Sequence, residues 1–124
     1  RAMVVHSHDG LDELSISAPT DVAHVVNGEI HFETVSPQDL GLSEAELESV
    51  QASDLDEAAR MIQGVIAGRL HGPPRDMTLI NTAATLVVAD QAVDFNEGLQ
   101  RAMQSIDSGA AQQTLENLVR LSHT

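Results

Sequence analysis

The dipeptide Asn27-Gly28 constrains the fold of this chain more than any other feature, because strand-like segments flank it at residues 21–26 and 29–35. Asn-Gly is the preferred sequence of a two-residue type I′ turn, in which both residues take positive φ. The sequence therefore predicts an antiparallel β-hairpin. Its register follows from the length of the turn, which places Val25 opposite Ile30.

This register divides the hairpin side chains between two faces of the predicted sheet. We expect the apolar face to be buried, and it contains Ala23, Val25, Ile30 and Phe32. The geometry of the opposite face could hold a metal ion. We interpret this face as solvated, because polar and apolar residues alternate fully along the two strands. It contains His24, Glu29, His31 and Glu33.

Beyond residue 35 the spacing of apolar residues becomes helical. Ser43 and Glu46 have the spacing of a capping box, which predicts a short helix that ends near residue 50. Asp94 and Glu97 predict a second such start. About five helices are expected in all, and the most apolar of them begins at Pro74. Their expected ranges are 43–50, 55–67, 74–89 and 94–107, with a last helix beyond Gly109.

The order of these elements predicts an α/β fold in one domain that spans residues 1–124. The short apolar run that contains Val4 and Val5 is typical of a buried parallel strand. We therefore expect a mixed sheet, a parallel strand plus the antiparallel hairpin, covered by the helices. Residues 1–35 would supply the strands and residues 36–124 would be mostly helical.

Composition excludes several classes of function. The formal net charge is −13, with six Arg and no Lys, so the surface repels nucleic acid and anionic lipid, and we expect neither as a partner. The chain has no Cys, which excludes disulfides, thiolate zinc sites and cysteine nucleophiles. No apolar stretch approaches the ~20 residues that span a bilayer. We expect a cytoplasmic protein, and the start at Arg1 suggests a fragment.

The strongest candidate site is the adjacent carboxylate pair Asp12 and Glu13, which follows the first apolar run. Carboxylate oxygens are hard ligands suited to Mg²⁺, and through it to a phosphorylated substrate. Asp9 could join as an acceptor in the outer shell. On spacing alone a solvated turn of an acidic protein is the better explanation of the pair, because adjacent carboxylates are common on surfaces.

Other polar clusters give weaker indications. His6 and His8 share one face of an extended segment and could ligate zinc, but we favour a partly buried, hydrogen-bonded His6 at a strand end and an exposed His8. The acidic residues that begin at Asp54 resemble part of a calcium loop, yet the turn glycine is absent, so we interpret them as charges at a helix N-terminus. No residue is a confident candidate for a catalytic acid, base or nucleophile.

The chain resembles the anthranilate phosphoribosyltransferase family over essentially its whole length. The central motif is a strand that ends Val-Val-His and is followed by a Gly-Leu-Asp-Glu turn, here Val4-Val5-His6 and Gly10-Leu11-Asp12-Glu13. The further matching segments, in chain order, are Leu14–Thr20, Gly28-Glu29-Ile30, Ser36–Leu42, Arg75–Ala84 and Ala102–Ala111.

This resemblance implies transfer of a phosphoribosyl group from phosphoribosyl pyrophosphate to anthranilate, in tryptophan biosynthesis. It implies that Asp12 and Glu13 hold a Mg²⁺ ion that supports the pyrophosphate, and that the whole enzyme is a homodimer. The glycine-rich loop, the anthranilate-contacting residues and the dimerisation domain of the family belong to a missing N-terminal segment. We therefore expect the C-terminal part of the large α/β domain, inactive alone. The alternatives are one piece of a split enzyme and a non-catalytic acidic binding or scaffold module.

Overall fold

A computed structural model describes residues 1–123 of the chain. In these residues a three-stranded sheet precedes four α-helices, and two short 3₁₀ helices lie between them. The strands are β1 (Ala2–Ser7), β2 (Thr20–Val26) and β3 (Glu29–Val35). The 3₁₀ helices are Pro37–Leu40 and Leu47–Val50. The α-helices are α1 (Leu55–Ile66), α2 (Pro73–Val88), α3 (Phe95–Asp107) and α4 (Ala110–Ser122).

The predicted hairpin is confirmed in its turn and in its register. Asn27 and Gly28 have φ values of 53° and 85°, and Val25 pairs with Ile30 across the two strands. The prediction of a parallel strand is wrong for the described residues, because β1 pairs with β2 in antiparallel register. The expected burial of this run is wrong as well, because Val4 is 64% exposed and Val5 is only partly buried. A short apolar run carries no information about strand direction, and the loop of residues 8–19 returns the chain directly beside β1.

The expectation for the buried face of the sheet is also wrong. Ile30 and Phe32 are 58% and 80% exposed, whereas Val22 and Val35 on the other face are 1% and 6% exposed. The helices cover that second face, where the His24 ring meets the Phe95 ring of α3 edge-on with centroids 6.4 Å apart. The covered face is chosen by the path of the helices, which the local alternation does not encode.

The core lies between the covered face of the sheet and the helix pair α2 and α3. Its fully buried members are aliphatic, as the scarcity of aromatic residues requires. From the loop and the sheet they are Leu14, Ile16 and Val22, and from the two helices they include Leu79, Ile80, Ala83, Leu99 and Ala102.

The number of α-helices is four in the described residues, one fewer than expected. The capping box expected at Ser43 and Glu46 does not form, and the segment has only the 3₁₀ turn Leu47–Val50, which begins after Glu46. The Ala45 amide instead donates to the carbonyl of Ile16 at 3.0 Å. The Ala45 amide is therefore used in a long-range bond and is not available to the first turn of a helix.

Candidate functional site

The loop of residues 8–19 joins β1 to β2 and presents the predicted acidic pair. Its ends are closed by backbone hydrogen bonds, because the His8 amide donates to the Pro19 carbonyl at 2.9 Å and the Ser7 amide donates to the Leu11 carbonyl at 3.0 Å. These two backbone bonds hold the start of the loop against its first turn and against its end.

Asp9 is the hydrogen-bonding centre of this loop. Its carboxylate accepts the Ser15 hydroxyl at 2.6 Å and also the Ser17 hydroxyl, and it accepts the Leu11 amide at 3.2 Å. Partial burial raises the pKa of the Asp9 carboxyl, but these hydrogen bonds outweigh it and hold the pKa well below its ordinary value. Asp9 is thus an anionic acceptor committed to the fold of the loop.

Asp12 and Glu13 differ from Asp9 in this respect. Both side chains are exposed, and within residues 1–123 neither carboxylate accepts a hydrogen bond or forms an ion pair. Their carboxylate oxygens are therefore not used by the fold of the described residues. Such a pair suits Mg²⁺, which commonly takes one or two protein carboxylates and keeps its remaining positions for water and phosphate oxygens.

The described residues contain no group of three or more His, Asp or Glu side chains arranged to enclose a metal ion. A protein cage of the kind that holds structural zinc is therefore not present in this part of the chain. The two free carboxylates fit an ion that is shared with a phosphorylated ligand, because such an ion needs few protein donors.

The side chain of Asn81 in α2 forms hydrogen bonds to the loop of residues 8–19. Asn81 was not among the site residues predicted from the sequence. Its side-chain oxygen accepts the Leu14 amide at 3.0 Å, and its side-chain nitrogen donates to the Leu14 carbonyl at 2.8 Å. Leu14 directly follows the acidic pair and is 1% exposed. The sequence feature that could have identified Asn81 is its primary amide within the most apolar predicted helix, because a polar side chain there needs a hydrogen-bond partner.

The histidines that were considered as metal ligands have separate surroundings. His6 is exposed, and His8 lies 3.1 Å from the carboxylate of Asp21. His24 contacts Glu33 at 2.5 Å and packs against the helices, while His31 is exposed. The expectation of an exposed His8 is confirmed, whereas that of a partly buried, hydrogen-bonded His6 is wrong, because His6 is exposed near the end of β1 and its side chain has no hydrogen bond within residues 1–123. The interpretation of the hairpin histidines as solvated holds for His31 but not for His24, which lies on the covered face.

The acidic residues near Asp54 lie at the start of α1, as expected. The Asp54 carboxylate accepts the Glu57 amide at 2.7 Å, which is the bond of an N-cap. The carboxylate of Glu57 in turn accepts the Ser53 amide at 2.7 Å. These groups stabilise a helix end and are not arranged as a calcium loop.

Comparison with known proteins assigns this architecture to a family. A family model described as "Glycosyl transferase family, a/b domain" matches residues 1–112. The chain belongs to this glycosyl transferase family.

None of the helices in residues 1–123 combines the length and the apolar character needed to cross a bilayer.

Individual members of the glycosyl transferase family agree with this assignment. The chain is 44% identical over 122 residues to an anthranilate phosphoribosyltransferase of Symbiobacterium thermophilum and 44% identical over 117 residues to that of Thioalkalivibrio sulfidiphilus, covering 98% and 94% of this chain. It spans 36% and 34% of those two proteins. The chain therefore has about a third of the length of the curated relatives it matches, which is consistent with a C-terminal portion.

Solved structures of family members have the same fold. The anthranilate phosphoribosyltransferase of Thermus thermophilus superposes with a TM-score of 0.89 at 27% identity, over 100% of this chain and 36% of that one. The enzyme of Saccharomyces cerevisiae in complex with PRPP and Mg superposes with a TM-score of 0.83 at 32% identity, over 92% and 33% of the two chains. The expected α/β fold is thus confirmed at the level of the family.

Proposed function

We propose that this chain is the C-terminal part of an anthranilate phosphoribosyltransferase and contributes the metal-binding carboxylates of its active site. The observation that carries the proposal is the pair Asp12 and Glu13, whose exposed carboxylates have no hydrogen-bond partner in the described residues. A relative from Saccharomyces cerevisiae is known in complex with PRPP and Mg, and also with 4-fluoroanthranilate.

The proposed reaction forms a bond between the anthranilate nitrogen and the anomeric carbon of the ribose. The bond from that carbon to pyrophosphate breaks, pyrophosphate leaves with the bonding electron pair, and the amine loses a proton. Negative charge therefore grows on the leaving group in the transition state. A bound Mg²⁺ ion would neutralise part of that charge and orient the phosphate oxygens.

Within this chain, Asp12 and Glu13 would hold the metal through oxygen atoms that are already exposed. The two adjacent anions repel one another, so a cation between them and the pyrophosphate is favoured electrostatically. The chain has no Lys and a formal net charge of −13. An anionic substrate therefore needs the metal ion as a bridge to this part of the protein.

The proposal assigns the remaining parts of the active site to the missing N-terminal segment. That segment would supply the glycine-rich pyrophosphate loop and the groups that contact anthranilate. A homodimeric whole enzyme and a cytoplasmic location are parts of the same proposal. The isolated chain of 124 residues would then form no product from phosphoribosyl pyrophosphate and anthranilate.

A chimeric enzyme tests this function. The matching third of the Symbiobacterium thermophilum relative would be replaced by this chain, and loss of anthranilate fluorescence would be followed with phosphoribosyl pyrophosphate and Mg²⁺. We expect Mg²⁺-dependent turnover by the chimera and none by the isolated chain. The unaltered relative provides the positive control.

A folded chimera without turnover would contradict the proposal and would favour a non-catalytic acidic binding or scaffold module. Turnover by the isolated chain would contradict the assignment of essential groups to the missing segment. Circular dichroism and size-exclusion chromatography of the chimera establish in each case that the protein is folded.

A further inference from the structure

Asn81 forms an unusual pair of contacts with a single residue of the loop. Its side-chain amide accepts from the Leu14 N–H at 3.0 Å and donates to the Leu14 C=O at 2.8 Å. It also donates to the carbonyl of Met77, one turn earlier on its own helix, at 3.0 Å. The side chain is therefore fixed to α2 and bound to both polar groups of the Leu14 backbone.

Leu14 is the first residue after the acidic pair, and its own side chain is 1% exposed in the core. On the other flank of the pair, Leu11 donates its amide to the Asp9 carboxylate at 3.2 Å. The backbone is thus held on both sides of Asp12 and Glu13, while the two side chains between these anchors are exposed.

We propose that Asn81 is a positioning residue, which sets the affinity of the Asp12–Glu13 pair for a divalent metal ion by fixing the backbone that carries it. This inference rests on the proposed function of the pair and extends it to a residue that has no direct contact with the metal. Outer-shell groups that orient metal ligands commonly change metal affinity by about 10- to 100-fold when they are removed.

The chemistry of asparagine explains why this residue type is needed. Leu14 offers one donor and one acceptor, and a primary amide of the right length satisfies both at once. Leucine at position 81 would have nearly the same shape but would leave both groups of Leu14 without their partners. Because an unpaired buried backbone group destabilises the conformation that contains it, the loop would shift to find new partners.

The test uses the chain of 124 residues and Mn²⁺ as the probe, so that no activity is required. Paramagnetic broadening of the Asp12 and Glu13 amide signals gives the Mn²⁺ concentration of half-maximal effect. We expect Asn81→Leu to raise this concentration about tenfold, and Asn81→Gln to have an intermediate effect. If Asn81→Leu does not fold, Mn²⁺ binding is compared between the wild type and Asn81→Gln.

Thr82→Val provides a matched control on the same helix. Its hydroxyl donates to the Thr78 carbonyl at 2.7 Å, so the substitution also removes a side-chain hydrogen bond from α2 but leaves the loop contacts intact. We expect unchanged Mn²⁺ binding in this variant. Equal binding by wild type and the Asn81 variants, or no local broadening at Asp12 and Glu13 in the wild type, would overturn the inference.

The chimeric enzyme separates this inference from the proposed function. In the chimera we expect Asn81→Leu to raise the half-saturating Mg²⁺ concentration and to leave the KM for anthranilate unchanged. At excess Mg²⁺ the kcat of this variant should return to that of the unsubstituted chimera. A merely structural role would lower kcat at every Mg²⁺ concentration and would overturn the inference. An inactive chimera beside a clear effect on Mn²⁺ binding would instead refute the function and support the role of Asn81.

Discussion

Gly98 of α3 packs directly against Ala83 of α2. A Cβ atom placed on Gly98 would lie 2.8 Å from the Cα of Ala83 and 2.9 Å from its carbonyl oxygen. Side chains in contact normally remain well beyond that separation, so only glycine permits this approach of the two helices. The contact fixes the distance between α2 and α3, and α2 is the helix that contains Asn81.

Gly98→Ala is expected to destabilise the protein by about 1–3 kcal/mol, because overpacking against backbone atoms outweighs the better helix propensity of alanine. Urea unfolding would measure the change. Gly64→Ala is the comparison, since its Cβ would meet the Leu70 side chain at 3.0 Å, and that side chain follows α1 on a connecting segment. A loss for Gly98→Ala no larger than that for Gly64→Ala would contradict this explanation.

Asp9→Asn is expected to destabilise the protein at neutral pH by about 1 kcal/mol, because it weakens charge-assisted hydrogen bonds that solvent partly screens. The folded state holds the pKa of Asp9 below its ordinary value of 3.8. Its carboxylate therefore contributes stability above that pH, and the contribution decreases as the pH falls below it.

Thermal unfolding of wild type and Asp9→Asn at pH 7 and pH 3 would measure this dependence. The difference between the two proteins should be largest at pH 7 and smaller at pH 3. Asp12→Asn serves as the control at pH 7, since its carboxylate has no hydrogen-bond partner in the described residues, and it should leave the stability unchanged. A difference that grows toward pH 3 would refute the role assigned to Asp9.

The two phenylalanines should contribute very differently to stability. Phe95 is 8% exposed in the core and Phe32 is 80% exposed on the uncovered face of the sheet. We expect Phe95→Ala to cost about 3–5 kcal/mol and Phe32→Ala to cost less than about 1 kcal/mol. Denaturant unfolding of both variants provides the comparison, and similar losses would contradict the burial of Phe95 in the core and the exposure of Phe32.

Features of this fold that depend on neighbouring residues were predictable from the sequence. Asn27-Gly28 determines a turn and its register through local backbone preferences. Asp94 begins α3 as expected, with its carboxylate accepting the Glu97 amide at 2.8 Å, because the capping geometry involves only one helical turn.

Features that depend on distant segments were not predictable in the same way. Phe32 is exposed because α2 and α3 cover the opposite face of the sheet, and neither helix has a local relationship to the hairpin. The Asn81 contact joins residues 67 positions apart, and no spacing rule connects them. The acidic pair itself was recognisable through its family motif, because the motif is contiguous, whereas its anchoring required the tertiary structure.

The central claim is that Asp12 and Glu13 bind the metal that supports the leaving pyrophosphate, and one variant tests it most directly. In the chimeric enzyme, Asp12→Asn with Glu13→Gln should reduce Mg²⁺-dependent turnover by at least about a hundredfold, as expected for lost transition-state electrostatics. Glu46→Gln with Glu48→Gln removes the same charge from exposed positions and should retain turnover. Retention of turnover and of its Mg²⁺ dependence in the Asp12/Glu13 variant would contradict the account.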